Sequence, residues 1–293
     1  MISFSHAPVM LNEVISVFKE SQTPLNVFLD GTFGRGGHTK ALIENFPGVH
    51  VWGMDQDEEA IAAGKALSLS NLTLVHGNFS EFEKKIVEQK SFDGILLDLG
   101  VSSPQLDDAG RGFSFYHDGP LDMRMDRSQK MTAADIINGW DEDELIDLFK
   151  NLGEVRNPFR VVRAIVHDRK TTLFTTTRQL AGMIERVSGW RKKGFNPATQ
   201  YFMALRLQVN GELQILEETL PKLMNALADK GRAVVITFHS LEDRIVKNIF
   251  KNNPELGRPV SKKVVKPSRE EQKFNPRSRS AKLRAFERGA YEY

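Results

Sequence analysis

Three short stretches hold residue types and spacings that can do chemistry. The first is Asp30-Gly31-Thr32-Phe33-Gly34-Arg35-Gly36-Gly37-His38, where an apolar run turns into a helical pattern. Glycines at such a turn let a ligand approach the backbone, and the following helix start offers free amides. The spacing is Asp-x-x-x-Gly-x-Gly-Gly, not the Gly-x-Gly-x-x-Gly of dinucleotide folds. An acid ahead of the loop repels a pyrophosphate and suits a cationic amino-acid group. The second stretch ends in Asp55, 21 residues after Gly34, placed to accept from ribose hydroxyls. Loop and acid together point to S-adenosylmethionine, whose methionine end carries an ammonium and a sulfonium. Phe79, after Gly77-Asn78, is a candidate to clamp an adenine. The third stretch is Asp98-Leu99-Gly100-Val101-Ser102-Ser103-Pro104-Gln105. Asp98, with Ser102, Ser103 and Pro104, is the candidate catalytic set, and Asp98 serves either the reacting amine or the cofactor.

The chemistry asked of these residues is modest. An aromatic amine is a weak nucleophile because its lone pair is delocalised into the ring. A carboxylate accepting its N–H bonds takes up the positive charge that develops on alkylation. The rest is in-line positioning, with no metal and no covalent adduct expected. The chain has no cysteine, which excludes disulfides, Cys-ligated zinc and the thiolate adduct used to methylate a pyrimidine ring carbon.

The elements that must position these groups follow from periodicity. Runs at 26–30, 49–55, 72–77 and 92–100 read as buried parallel strands alternating with helices, hence a doubly wound α/β sheet. A fifth strand, 231–238, comes about 130 residues later, and 264–267 with 280–287 read as a closing antiparallel pair. The gap holds a Gly/Asp/Pro-rich stretch at 106–128 and then helices with visible starts. Asp141 with Glu144 and Thr176 with Gln179 make capping boxes, and Asn157-Pro158 is expected to open another helix. Residues 198–228 read as one long helix bent or broken at Pro221. The expected domains are 1–105 with 196–293, binding the cofactor, and 106–195, an inserted loop and helical subdomain for substrate.

With 293 residues, 40% hydrophobic and 27% charged, the chain reads as globular. No apolar run approaches the roughly 18 residues of a membrane span, and the start lacks the features of a secretory signal, so a cytoplasmic protein is expected. Net charge is +2, yet residues 156–193 carry +8 and residues 258–293 carry +7, leaving −13 on the rest. Two basic segments on an acidic body suit a polyanion. Candidates for contact with RNA are Arg111, Phe113, Phe115 and Arg124 in the Gly/Asp/Pro-rich stretch. Arg160, Arg163, Arg169, Arg191, Lys192 and Lys193 add to them in the insertion, as do Arg277, Arg279, Lys282 and Arg284 in the tail. Phe113, Phe115 and Tyr116 are expected to wall the pocket for the target base.

The chain resembles the ribosomal RNA small subunit methyltransferase H family, which methylates the exocyclic N(4) amine of a decoding-centre cytosine in 16S rRNA. The matching stretches are His6-x-Pro8-Val9, DGTFGRGGH (30–38), DGILLDLGVSSPQLDDAGRGFSF (93–115), DGPLDMRMD (118–126), FHSLEDRIVK (238–247) and NPRSRSAKLR (275–284). The resemblance implies a class I, Rossmann-like methyltransferase sheet with an inserted helical subdomain, and 16S rRNA in the small ribosomal subunit as partner. It also implies S-adenosylmethionine contacts at Gly36, Gly37, His38, Asp55, Phe79, Asp98 and Gln105. The chain departs from the family pattern at Val155, Asn196, Gln200 and Met203, where the family has glutamate, histidine, arginine and glutamine. A paralogue methylating another nucleic-acid amine, or a non-catalytic RNA-binding assembly factor, is the alternative. Neither oligomeric state, a homodimer included, nor the use of free rRNA against an assembled subunit is written in the sequence.

Overall fold

The computed structural model describes residues 8–189 and 196–290. The chain folds as two compact units, residues 1–100 with 213–293 and residues 101–212. In the first unit the elements run α1 (Leu11–Lys19), β1 (Val27–Asp30), α2 (Gly37–Asn45), β2 (His50–Asp55), α3 (Glu58–Ala66), β3 (Leu72–His76), α4 (Phe82–Lys85) and β4 (Phe92–Asp98). The second unit holds α5 (Ser103–Asp107), α6 (Ala133–Gly139), α7 (Glu142–Asn151), α8 (Phe159–Asp168), α9 (Thr177–Ser188) and α10 (Ala198–Asn210). The chain then returns through α11 (Glu212–Asn225) to β5 (Leu227–Thr237), α12 (Ser240–Asn252), β6 (Gly257–Pro259), α13 (Arg269–Phe274) and β7 (Lys282–Arg288).

The seven strands form one sheet in the order β3-β2-β1-β4-β5-β7-β6, parallel from β3 to β5, with β7 antiparallel to both β5 and β6. Both faces of the parallel part are covered. Leu29, Ile95, Leu97, Ala233 and Val235 point into one core, whereas Phe28, Leu96, Val234 and Ile236 point into the other. That two-sided burial is why β4 and β5 read as continuous apolar runs without alternation. Each fully buried side chain of this size contributes about 1.5–3 kcal/mol. Strand order reverses between β1 and β4, so their carboxyl ends flank the switch point where open α/β sheets take ligands.

The insertion has its own core, built around Ile136, Ile137, Leu145, Phe149, Val162, Ile165, Leu180, Ile184, Ala204 and Leu205, all with no exposed surface. The two expected capping boxes are present. Glu144 N–H donates to Asp141 Oδ1 at 2.9 Å and Asp141 N–H donates to Glu144 Oε2 at 2.8 Å. Thr176 and Gln179 exchange the same pair of bonds.

Four expectations are corrected. Pro158, in helical conformation and without a side-chain bond, caps α8, so Asn157 does not. The 198–228 segment is two helices parted at Gly211, whose φ of 60° caps α10, while Pro221 lies inside α11. Beside β5, the strand that pairs with β7 is Gly257–Pro259, and the segment 264–267 contributes only an isolated bridge from Val265 to Leu283. The unit boundaries fall at 101 and 212, not at 106 and 195, because α10 packs into the insertion. Buried Asn210, for example, accepts from Met125 N–H at 2.8 Å and donates to the Met123 carbonyl at 2.8 Å. Among the described residues no helix is long and apolar enough to cross a membrane.

Candidate functional site

Asp30 ends β1 and is 1% exposed. Its carboxylate accepts from the Thr39 hydroxyl at 2.7 Å and from Thr32 N–H at 3.3 Å. Thr32 Oγ1 in turn accepts from Asp98 N–H at 2.6 Å, tying the ends of β1 and β4 together. Between them Gly31 brings the backbone close to β4: a Cβ there would sit 2.5 Å from Leu97 Cδ2 and would push that side chain aside. Gly34 and Gly36 take left-handed φ values of 55° and 73°, and Gly36 with Gly37 opens α2. Asp55 Oδ2 accepts from Gly34 N–H at 2.7 Å, and Oδ1 accepts from Asp57 N–H at 2.9 Å. The acid read as a ribose acceptor therefore also braces the glycine loop.

Asp98 closes the site. Its Oδ2 lies 3.8 Å from His38 Nδ1, and among the described residues its buried Oδ1 has no hydrogen-bond partner. His38 Nε2 sits 2.9 Å from the Val9 carbonyl. A carbonyl only accepts, so Nε2 carries the proton and Nδ1 offers a bare lone pair toward Asp98. Burial pushes the imidazole down to about 4, so it is neutral at pH 7.

The carboxylates are held on the protonated side of their usual range. Burial, offset in part by the Thr39 and Thr32 bonds, raises Asp30 to about 6. Burial likewise raises Asp55 to about 6. Asp98 is raised well above its ordinary value, by burial first and then by the neighbouring charges of Asp30 and Glu242. No Lys or Arg among the described residues forms an ion pair with Asp30, Asp55 or Asp98. A crowded set of carboxylates without a resident cation favours a cationic ligand, because binding one relieves both desolvation and mutual repulsion.

Glu242, 1% exposed, belongs to this electrostatic set and escaped the sequence reading. It opens α12 just past β5, where Phe238 N–H donates to its Oε2 at 2.8 Å and His239 Nε2 lies 3.1 Å from its Oε1. The signal was available as His239-x-x-Glu242, a capping box directly after the fifth apolar run.

Other predicted site residues have local structural roles. Phe79, 9% exposed, belongs to the sheet core. Ser102 and Gln105 form the capping box of α5, and Ser103 and Pro104 are its first residues. Arg111, 2% exposed, spends its guanidinium on the carbonyls of Arg124 and Met125 and is not available to a phosphate. Arg124 is likewise engaged, by Asp122 at 2.7 Å and by the carbonyls of Arg127 and Gln129. Phe113 is core, while Phe115 meets Phe202 edge-on and lies tilted beside the exposed Tyr116. Lys282 and Arg284 both pair with Asp243, and Arg169 donates to the Ile137 carbonyl. Arg160, Arg277 and Arg279 are exposed, as is Arg163, which reaches Glu142 at 3.4 Å. His6, Arg191, Lys192 and Lys193 lie outside the described residues.

Three of the four departures from the family pattern are bonded or buried within the insertion. Asn196 donates to Glu185 at 2.6 Å and accepts from Ala198 N–H at 2.8 Å, and Gln200 donates to the carbonyls of Gly153 and Glu154. Val155 is buried in the insertion core, and nothing in the structure explains Met203. A cavity of about 390 Å³ lined by Leu227, Asp229, Leu256 and Arg288 lies at the amino end of β5, away from the carboxylates.

Residues 3–289 match the MraW methylase family. A protein of Bdellovibrio bacteriovorus named ribosomal RNA small subunit methyltransferase H is 55% identical, over 98% of this chain and 89% of that one. A Deinococcus deserti protein of the same name is 45% identical over 98% and 94%, and one from Granulibacter bethesdensis is 43% identical over 97% and 91%. Among solved structures, an rRNA methylase from Streptococcus thermophilus is 10% identical, with 95% of each chain covered and a TM-score of 0.46. With a match over nearly its whole length, the chain belongs to the MraW methylase family.

Proposed function

We propose that this chain transfers a methyl group from S-adenosylmethionine to the exocyclic N(4) amine of a decoding-centre cytosine in 16S rRNA, acting in the cytoplasm on the small ribosomal subunit. The relatives named above carry the small-subunit rRNA assignment. The observation that supports the chemistry is the buried Oδ1 of Asp98 at the carboxyl end of β4, which has no hydrogen-bond partner among the described residues.

The carboxylate set fits the cofactor, being rich in acceptors and short of cations where an ammonium and a sulfonium must sit. When bound, S-adenosylmethionine supplies the electrophilic methyl and leaves as a neutral thioether. The Gly34–Gly37 turn lets backbone amides approach it, and Asp55 holds that turn while its remaining lone pairs serve ribose hydroxyls. Phe79 completes the proposed cofactor contacts of this unit. Asp98 Oδ1 accepts an N–H of the cytosine amine, which localises the nitrogen lone pair for attack. Its raised pKa suits it to receive the proton that the amine sheds once the N–C bond forms. A stacked base hides that amine, so the cytosine must be presented unstacked. Exposed Arg160, Arg163, Arg277 and Arg279 supply phosphate contacts.

Nucleoside mass spectrometry of 16S rRNA from cells lacking the protein tests this reading. N(4)-methylation at one cytosine is expected to disappear and to return with the wild-type chain but not with Asp98→Asn. Unchanged cytosine methylation in the deletion refutes it.

A further inference from the structure

Phe274, the last residue of α13, is 83% exposed, more than any other large hydrophobic side chain among the described residues. A ring of that size is normally buried. It stands in a segment whose cations, Lys266, Arg269, Lys273, Arg277 and Arg279, are all exposed. One of the two acids there, Glu271, is engaged by Met10 N–H at 2.7 Å. The ring has a fixed base. Ser268 Oγ caps α13 at Glu271 N–H, and Gln272 donates to the Pro267 carbonyl. Arg279 Nε donates back to the Gln272 carbonyl at 3.2 Å, which brings its guanidinium to the helix end that carries Phe274. Ser278, fully buried, pins the turn between them by donating to the Asn275 carbonyl at 2.8 Å.

We propose that Phe274 is a stacking platform for one base of an unpaired RNA segment, with the flanking cations on its phosphates. A lone exposed ring in a segment with five exposed cations and one exposed acid, Glu270, differs from a protein-docking core, where charged residues are depleted around a contiguous apolar patch. It matches sites that bind single strands, which combine a basic surface with an aromatic face. Bases within a duplex keep their faces covered, so the platform selects unpaired RNA. The inference rests on the reading of the chain as an rRNA methyltransferase and adds a contact remote from the carboxylate site in sequence.

The test compares the full-length wild type with Phe274→Ala and Phe274→Trp, changes at a side chain that is largely solvated and whose loss is expected to leave folding intact. Fluorescence anisotropy is read with a labelled unpaired oligoribonucleotide of about 16 nucleotides and with a duplex of equal length. Phe274→Ala is expected to lose about five- to a hundredfold in affinity for the unpaired strand and less than about twofold for the duplex. Phe274→Trp restores unpaired binding, and the salt slope of Phe274→Ala stays as in the wild type because the cations remain. Equal affinity of wild type and Phe274→Ala for the unpaired strand overturns the proposal. So does an equal loss on the duplex, an absence of wild-type binding, or a dimer in sedimentation velocity that Phe274→Ala splits. Loss of methylation activity with the strand preference intact would instead count against the function, not the platform.

Discussion

Replacing Asp30 by asparagine separates what the carboxylate set does for folding from what it does for the ligand. Asparagine keeps an oxygen for the Thr32 N–H and an amide that can donate to the Thr39 hydroxyl, so the local bonds survive. What disappears is the cost of ionising a carboxyl that is 1% exposed. Its carboxyl is raised from 3.8 to about 6 in the folded protein, chiefly by burial. A raised carboxyl favours folding below the unfolded value and loses that contribution as pH climbs through the folded one. At pH 8 the shift corresponds to roughly 3 kcal/mol, at pH 4.5 to about 1 kcal/mol, and at pH 3 to almost nothing. Asp30→Asn is therefore expected to stabilise the cofactor-free protein by about 3 kcal/mol at pH 8, with the gain fading between pH 6 and pH 3.8. Urea unfolding of both proteins across that range measures it. Affinity for S-adenosylmethionine should move the other way, falling tenfold or more, because a charge facing the cation is gone. A variant destabilised at pH 8, or stabilised equally at pH 8 and pH 3, would refute the electrostatic account of this site.

Asp98→Asn is expected to lower the methyl-transfer rate about a hundredfold or more at saturating cofactor, since one well-aimed contact to developing charge is worth about that much. Weakened cofactor binding with a near-normal saturated rate would move Asp98 from the amine to the cofactor. Asp55→Ala takes the acceptor from the Gly34 amide and should weaken S-adenosylmethionine about ten- to a hundredfold by calorimetry; unchanged affinity in the folded variant rules the assignment out. Arg111→Met strands the carbonyls of Arg124 and Met125 and should cost roughly 2–4 kcal/mol of stability, without altering the salt slope of RNA binding. A slope reduced by about one at full stability would put Arg111 on a phosphate instead.

The sheet was legible because its strands are buried on both faces, and such burial leaves uninterrupted apolar runs in the sequence. The helix starts at Asp141 and Thr176 were legible for a similar reason, a capping box being a local pattern that needs no distant partner. Between 198 and 228 two local signals compete, and the glycine ends a helix where the proline does not. Pro221 lies inside α11 without ending it, whereas Gly211, free to take a left-handed φ, broke the chain.

At the site, sequence alone determined which residues stand at the ends of β1, β2 and β4, because a parallel sheet puts those ends on one edge. Asp30, Gly36, Gly37, Asp55 and Asp98 follow from that topology. Only tertiary structure decided their electrostatic state. The buried Oδ1 of Asp98, the bare lone pair of His38 and the repulsion from Glu242 depend on burial and on contacts between residues far apart in the chain. The arginines divided the same way. Charge counting treats Arg111, Arg124, Lys282 and Arg160 alike, yet the fold turns the first three toward carbonyls and carboxylates and leaves Arg160 exposed. A cation's formal charge is local to its residue, but its availability to a phosphate is set by what else the folded chain brings within hydrogen-bond reach.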